Sequence, residues 1–278
     1  MKRMLVGMDR SGNALCALQW AAAISAVLGA ELVAVSAWMP TQAELPPEEW
    51  ERDQREVRAL LDRYLHDLPR PVASTRGEVI DGEPAQVLLD KSEAEHVELV
   101  VVGIRGEGGA ALMRVGSVAD TVAHHSATPL AVIPDGTQPH LRRIVLGVDG
   151  SDGAQAATTW CAAFARDLGA EVVAVCAYRP KVGWLHEHDA TQTRDQVTKD
   201  LHDRWTAPLR EAGVAVREEV VSEPHVADAV LTAAESVDAD AIIVGTHGLA
   251  PIIRLRMGGV AMRLLHTSSL PLILVPPA

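Results

Sequence analysis

The residues from Leu28 to Trp38 read Leu-Gly-Ala-Glu-Leu-Val-Ala-Val-Ser-Ala-Trp, and those from Leu168 to Tyr178 read Leu-Gly-Ala-Glu-Val-Val-Ala-Val-Cys-Ala-Tyr. The same shift of 140 positions lays Met4 to Ser11 on Ile144 to Ser151, Trp20 on Trp160, and Glu83 and Pro84 on Glu223 and Pro224. A period of this length is that of a whole domain, far longer than a solenoid repeat, so the 278-residue chain reads as a tandem duplication. Each half is large enough to close its own core. The run of turn formers from Pro134 to His140 separates them, giving domains at residues 1–135 and 141–278 with a linker at 136–140.

Within the first repeat, short apolar runs (Met4 to Met8, Leu32 to Ala37, Leu130 to Ile133) alternate with longer helical patterns such as Ala14 to Leu28. That alternation predicts an α/β fold built on a parallel sheet. Leu99 to Val102 and Ile242 to Val244 are continuously apolar, as strands covered on both faces should be, and belong at sheet centres. Trp50, Val57, Leu60, Leu61, Tyr64, Leu65 and Leu68 recur at helical spacing among charged residues, which predicts an amphipathic helix whose stripe is buried as core. Gly29 and Gly169 stand where the first helix of each repeat must stop, in the C-cap position that tolerates positive φ.

Two strand-end features carry the functional expectation, because open parallel sheets bind ligands where neighbouring strands send their connections to opposite faces. Asp9 and Asp149 end the first strand of each repeat, where a carboxylate can accept hydrogen bonds from a sugar or base. The alternative is a helix N-cap, although Ser11 and Ser151 are better placed for that. The second feature is a glycine string: Gly103, Gly106, nine residues, then Gly116, Ser117 and Val118 opening a helix. Glycine allows close backbone approach, and an open helix N-terminus directs N–H groups at phosphate oxygens. The spacing recurs as Gly245, Gly248, nine residues, then Gly258 and Gly259.

Composition narrows the function further. With 48% hydrophobic and 22% charged residues the chain has a soluble globular profile. Its net charge of −12 and four lysines argue against a general nucleic-acid binder. No apolar run is long enough for a membrane helix, and Met1-Lys2-Arg3 leads directly into the first strand without a signal-like segment, so a cytoplasmic location is expected. Cys16, Cys161 and Cys176 form no metal or redox spacing and read as reduced residues on core-facing elements. His124 and His125, and His186 and His188 in the run Trp184 to Asp189, invite a metal reading but lack partners in a zinc pattern, so no metal ligand is assigned. The latter run also reads as a ligand lid or partner surface. Arg105, Arg114, Arg254, Arg256 and Arg263 are candidate phosphate contacts, weighed against ordinary solvated arginines. No Walker-type loop occurs and neither glycine string holds a lysine, which argues against rapid phosphoryl transfer.

These residues together resemble the universal stress proteins in their tandem form, and specifically the ATP-binding branch with its Gly-x-x-Gly-x9-Gly-Ser/Thr signature. The likeness spans nearly the whole chain and includes Gly82 to Ala85 and Gly116 to Pro134. It implies two doubly wound five-stranded parallel-sheet domains of Rossmann-like, adenine nucleotide alpha hydrolase-like type. It places adenine near the strand-one Asp and the end of strand two, and the triphosphate on the glycine string. At these positions stand Asp9, Ala37, Gly103, Gly106, Gly116, Ser117 and Val118 in repeat one, and Asp149, Ala177, Gly245, Gly248 and Gly258 in repeat two. Gly259 departs from the expected Ser or Thr, so weaker occupancy of the second site is expected. Mg²⁺ is expected on the phosphates. The resemblance also implies pairing through the last strands, Leu130 to Ile133 and Leu270 to Val275, as an internal pseudo-dimer, with a homodimer of chains also compatible.

Three functional readings follow: a nucleotide-dependent sensor or regulator in stress response without rapid turnover, a slow ATPase or nucleotidyl enzyme on the same sites, and an architectural dimerisation module with vestigial sites. The intact spacing in repeat one counts against the third, and the missing lysine and general base count against the second.

Overall fold

The computed structural model describes the chain apart from residues 40–46, 69–73, 108–113, 179–193, 224, 249–256 and 278, and apart from the side chains of residues 47, 48 and 50. Among the described residues, repeat one runs β1 (Arg3–Met8), α1 (Gly12–Leu28), β2 (Glu31–Trp38), α2 (Pro47–His66), β3 (Ser74–Asp81), α3 (Pro84–Ala94), β4 (Leu99–Gly103), α4 (Ser117–His125) and β5 (Leu130–Ile133). Its strands are parallel in the order β3-β2-β1-β4-β5. Repeat two runs β6 (Arg143–Gly147), α5 (Asp152–Leu168), β7 (Glu171–Tyr178), α6 (Arg194–Asp200), a π-helical turn (Leu201–Trp205), α7 (Ala207–Glu211), β8 (Val216–Ser222), α8 (Val226–Ser236), β9 (Ala241–Gly245), α9 (Gly259–Thr267) and β10 (Leu272–Val275). It has the matching order β8-β7-β6-β9-β10. Each repeat is thus built on the parallel sheet that its alternating pattern predicts, in the doubly wound five-stranded arrangement that the family resemblance implies.

The order reverses direction at the first strand of each repeat. From β1 the chain crosses to β2 on one side, and from β4 it crosses to β5 on the other, which opens a crevice beyond the strand ends. Side chains alternate along a strand, and Gly7 pairs with Val35 and Met8 with Ser36. Gly7, Val35 and Ala37 therefore point to one face of the sheet, and Met8, Ser36 and Trp38 to the other. Leu99, Val100, Val101, Ile242 and Ile243 are completely buried, as expected of central strands.

Local capping follows the sequence closely. Ser11 and Ser151 are the N-caps of α1 and α5, accepting from Ala14 N and Ala154 N at 3.1 Å in each case. Gly29 and Gly169 close the same helices in the left-handed conformation, at φ of 63° and 67°. Glu83 caps α3 by accepting from Gln86 N at 2.9 Å, with Pro84 in the first helical turn, so the Gly82–Ala85 segment is a helix start.

The stripe on α2 departs from expectation. Only Leu61 is fully buried, while Val57, Leu60, Tyr64, Leu65 and Leu68 remain half-buried. The stripe does face the sheet, but part of it lines a cavity in place of closing the core. Trp50 lies outside the residues whose side chains are described. The counterpart in repeat two is broken: Pro208 has no N–H to donate, so the helix restarts at Ala207. The π-helical turn before it closes with Thr206 N donating to Leu201 O at 3.0 Å.

Candidate functional site

A cavity of about 470 Å³ opens beyond the β1, β2 and β4 ends of repeat one. Asp9, Ala37, Gly103, Gly106, Gly116, Ser117 and Val118 all line it, together with Arg105. Repeat two carries a cavity of about 490 Å³ lined by Asp149, Ala177, Gly245, Gly248 and Gly258, with Gly259 and His247. Residues far apart in the sequence thus converge in each repeat. Both volumes fall in the range of small-molecule sites.

The phosphate-side geometry in repeat one begins at α4. Gly116 is its N-cap, with extended backbone and no side-chain cap. Gly116 N donates to Ile104 O at 2.8 Å, which folds the string back onto β4. The first-turn N–H groups of Ser117, Val118 and Ala119 have no acceptor among the described residues, and these three residues line the cavity. An anion is the natural partner for donors arranged this way. A β-carbon at Gly116 would sit 3.2 Å from Arg105 Cα, so the close return of the loop leaves little room for a side chain.

Asp9 has a second role that its strand-end position alone does not reveal. Its Oδ1 accepts from Ser11 N at 2.8 Å and its Oδ2 from Glu107 N at 2.9 Å. The carboxylate therefore ties the end of β1 to the glycine string. Each oxygen retains a lone pair with which to accept from a ligand. A β-carbon at Gly106 would lie 2.6 Å from Asp9 Oδ2, so glycine there admits the tie. In repeat two Asp149 Oδ1 accepts from Ser151 N at 3.0 Å and from the Ser151 hydroxyl at 2.6 Å. A β-carbon at Gly248 would be 2.9 Å from Asp149 Oδ2.

Gly103 and Gly245 line the two cavities and also have a packing reason for being glycine. The atoms nearest a β-carbon on Gly103 are the Asn13 backbone, at 2.7 and 2.8 Å, and on Gly245 they are the Gly153 backbone, at 2.5 and 2.6 Å. The strand end packs directly on the first turn of the first helix. Gly153 matters equally, since its own β-carbon would be 2.1 Å from His247 O. Nothing in the repeat pattern singles out Gly153, because repeat one carries Asn13 at the equivalent position.

The remaining candidates separate clearly. Arg114 and Arg263 line neither cavity, and Arg263 reaches Asp228 at 2.8 Å. Arg254, Arg256 and the run Trp184 to Asp189 lie outside the described residues. His124 and His125 donate through Nδ1 to the Asp120 and Thr121 carbonyls of their own helix, each at 2.8 Å. Among the described residues no group of three His, Cys, Asp or Glu side chains could hold a metal ion, and no helix is long and apolar enough to cross a membrane. Burial pushes the Cys161 thiol up to about 12, and burial followed by the nearby Asp149 charge pushes Cys176 up to about 11, so both stay protonated and unreactive. Cys16 is half-buried, with its sulfur 3.7 Å from Asp135 Oδ1.

Fold and crevice define a duplicated, doubly wound α/β protein with one strand-end cavity per repeat. The chain belongs to the universal stress protein family, whose sequence pattern matches residues 1–134 and again residues 140–276. A universal stress protein of Mycolicibacterium smegmatis is 24% identical over 99% of this chain and 97% of its own length. One of Mycobacterium tuberculosis strain H37Rv is 27% identical over 97% of this chain and 95% of its own. The crystal structure of a universal stress protein from Archaeoglobus fulgidus matches the fold with a TM-score of 0.74 at 18% identity, covering 99% of this chain and 98% of that one.

Proposed function

We propose that this protein is a cytoplasmic regulator that holds ATP in its strand-end cavities, with Mg²⁺ carried on the phosphates, and that occupancy, in place of turnover, is its signal. The observation that carries this reading is the open N-terminus of α4: three first-turn N–H groups without an acceptor among the described residues and the exposed Ser117 hydroxyl border a cavity of about 470 Å³. The β- and γ-phosphates would lie on Gly116, Ser117 and Val118, and the adenosine side near Asp9 and Ala37. The described residues offer no metal cluster of their own, which suits an ion held chiefly by phosphate oxygens. Neither cavity is lined by a lysine among the described residues, which supports retention over hydrolysis. Pairing of the repeats through their last strands, and of whole chains, belongs to the same proposal and is tested by sedimentation with and without ATP.

The direct test is to denature freshly purified protein and identify the released nucleotide by chromatography and mass. Gly106→Glu is an ambiguous control, because its side chain would also break the tie to Asp9. Ser117→Asp is cleaner, since a carboxylate suits a helix N-terminus but repels phosphate. ATP in the wild type and its loss from a folded Ser117→Asp variant are expected. ADP as the main species would point to hydrolysis, and no nucleotide together with no binding of added ATP would overturn the reading.

A further inference from the structure

Between the first two glycines of each string stand two residues: Ile104 and Arg105 in repeat one, Thr246 and His247 in repeat two. Arg105 lines the first cavity and His247 the second. An arginine stays charged throughout the accessible pH range, whereas a histidine changes its charge between about pH 5 and 8. The His247 ring is anchored. Thr246 Oγ1 lies 3.0 Å from His247 Nδ1, and Thr246 is only 5% exposed. The Thr246 backbone is fixed from both sides, its N–H donating to Val275 O at 2.9 Å and its carbonyl accepting from Gly258 N at 2.6 Å. The anchor is therefore tied to the glycine that opens the phosphate-side helix of its own cavity.

A hydroxyl can donate or accept, so this anchor serves both charge states of the ring. When Thr246 donates to Nδ1, the ring proton sits on Nε2; when the ring takes up a second proton, the hydroxyl turns and accepts from Nδ1–H. Neither change requires the ring to move. Nε2–H is a donor in both states and differs only in charge, and it has no partner among the described residues. Repeat one has Ile104 at the anchoring position, and its arginine has no tautomer to fix. Of the other described residues lining the second cavity, Asp149 at the end of β6 is the ionisable one, and it is bonded to Ser151. β7 contributes Ala177, α8 Val226 and Val230, and α9 only apolar residues and Gly259. His247 is thus the one side chain among them that can carry positive charge.

We propose that His247 makes the second site a proton-linked one, which binds nucleotide tightly when the imidazole is charged and weakly when it is neutral, while the first site, with Arg105, is indifferent to pH over the same range. This rests on the ATP-holding reading and adds its regulation. Phosphate oxygens favour the charged ring, so second-site affinity is highest at low pH and is lost as pH rises through the histidine range. The number of nucleotides held per chain then reports pH.

Two full-length variants read the cavities apart. Ser117→Asp leaves the second site, and Gly259→Asp, whose β-carbon meets nothing within 4 Å, leaves the first, because a carboxylate at either helix start repels phosphate. Each is dialysed to equilibrium with Mg·ATP at about pH 8 and about pH 6. Acidification is expected to tighten the second site about tenfold, the scale of one hydrogen bond that gains a charge, and to change the first by less than about twofold. In the Ser117→Asp chain, His247→Gln keeps a donor without a charge and should bind equally weakly at both values, while His247→Arg should bind at the higher pH as tightly as histidine does at the lower. Wild type gives a second reading, its bound ATP rising from about one toward two equivalents on acidification. The proposal is overturned if the first site fills while the second stays empty or keeps one affinity at both values. It is equally overturned by a pH dependence that is the same in both sites, as protonation of ATP itself would give, or by one that survives His247→Gln. Absence of binding at both sites and both pH values would instead overturn the ATP-holding reading, and this inference with it.

Discussion

A β-carbon added at Gly103 would stand 2.7 Å from the carbonyl carbon of Asn13, whereas one added at Gly259 would meet nothing within 4 Å. Two glycines of equivalent strings are therefore there for unequal reasons. Gly103→Ala must push a strand end off a helix backbone, which has no flexible tip to yield, and should cost about 1–3 kcal/mol. Gly259→Ala, in open space on the first turn of α9, should change stability by less than about 0.5 kcal/mol. Urea unfolding of the two variants checks this, and equal losses would show that the close approach at Gly103 is not what constrains it. The glycine spacing was legible in the sequence because it repeats, and so was the convergence of the strings with Asp9 and Asp149. The partners were not: Asn13 lies about ninety residues from Gly103, and nothing local marks it.

At the opposite ends of the strands from the crevice, charges rather than glycines organise the elements. Glu31 at the start of β2 accepts from Arg3 Nε of β1 at 2.7 Å and from Arg76 Nε of β3 at 2.9 Å. Lys91 of α3 reaches Glu95 at 2.6 Å and Glu78 at 2.7 Å, and Arg76 also bonds Glu95. Hydrogen bonds from Arg3 and then Arg76 hold the Glu31 carboxyl below its ordinary range. For Glu95 burial acts against ionisation, but Lys91 and Arg76 outweigh it, and its carboxyl is also lowered. A carboxyl lowered by folding stabilises the folded state above its unfolded value, about 4.3 for glutamate, and that contribution is lost as pH falls through the lower folded value. Glu31→Gln should therefore be less stable than wild type at pH 7, with the difference shrinking below about pH 4. Urea midpoints from pH 7 to pH 3 read this directly, and a difference that stays constant with pH would remove the ionic account. Helix ends and central strands were legible here from serine, glycine and unbroken apolar runs. The fate of the α2 stripe was not, because periodicity reports which face turns inward but not whether the space beneath it is filled.

For the whole molecule, the duplication makes the two halves each other's control. Repeat one presents Arg105 and Ser117 to its cavity where repeat two presents His247 and Gly259. On the proposed reading the first difference removes a fixed positive charge and the second a hydroxyl donor. One hydrogen bond to a charged oxygen, about 1.5–3 kcal/mol, corresponds to roughly ten- to a hundredfold in affinity. At ATP concentrations between the two dissociation constants the wild type should bind about one equivalent per chain. Gly259→Ser should bring the second site into the same range and raise the stoichiometry toward two, because the added side chain meets no atom within 4 Å at its β-carbon. Equilibrium dialysis with Mg·ATP, in parallel with Ser117→Gly as the reciprocal change, measures both sites. If Gly259→Ser leaves the stoichiometry at one while Ser117→Gly lowers it, the hydroxyl matters only where an arginine accompanies it, and His247→Arg in the Gly259→Ser background becomes the decisive variant. If neither change moves the stoichiometry, the asymmetry lies outside these first-turn contacts and the hydroxyl account fails.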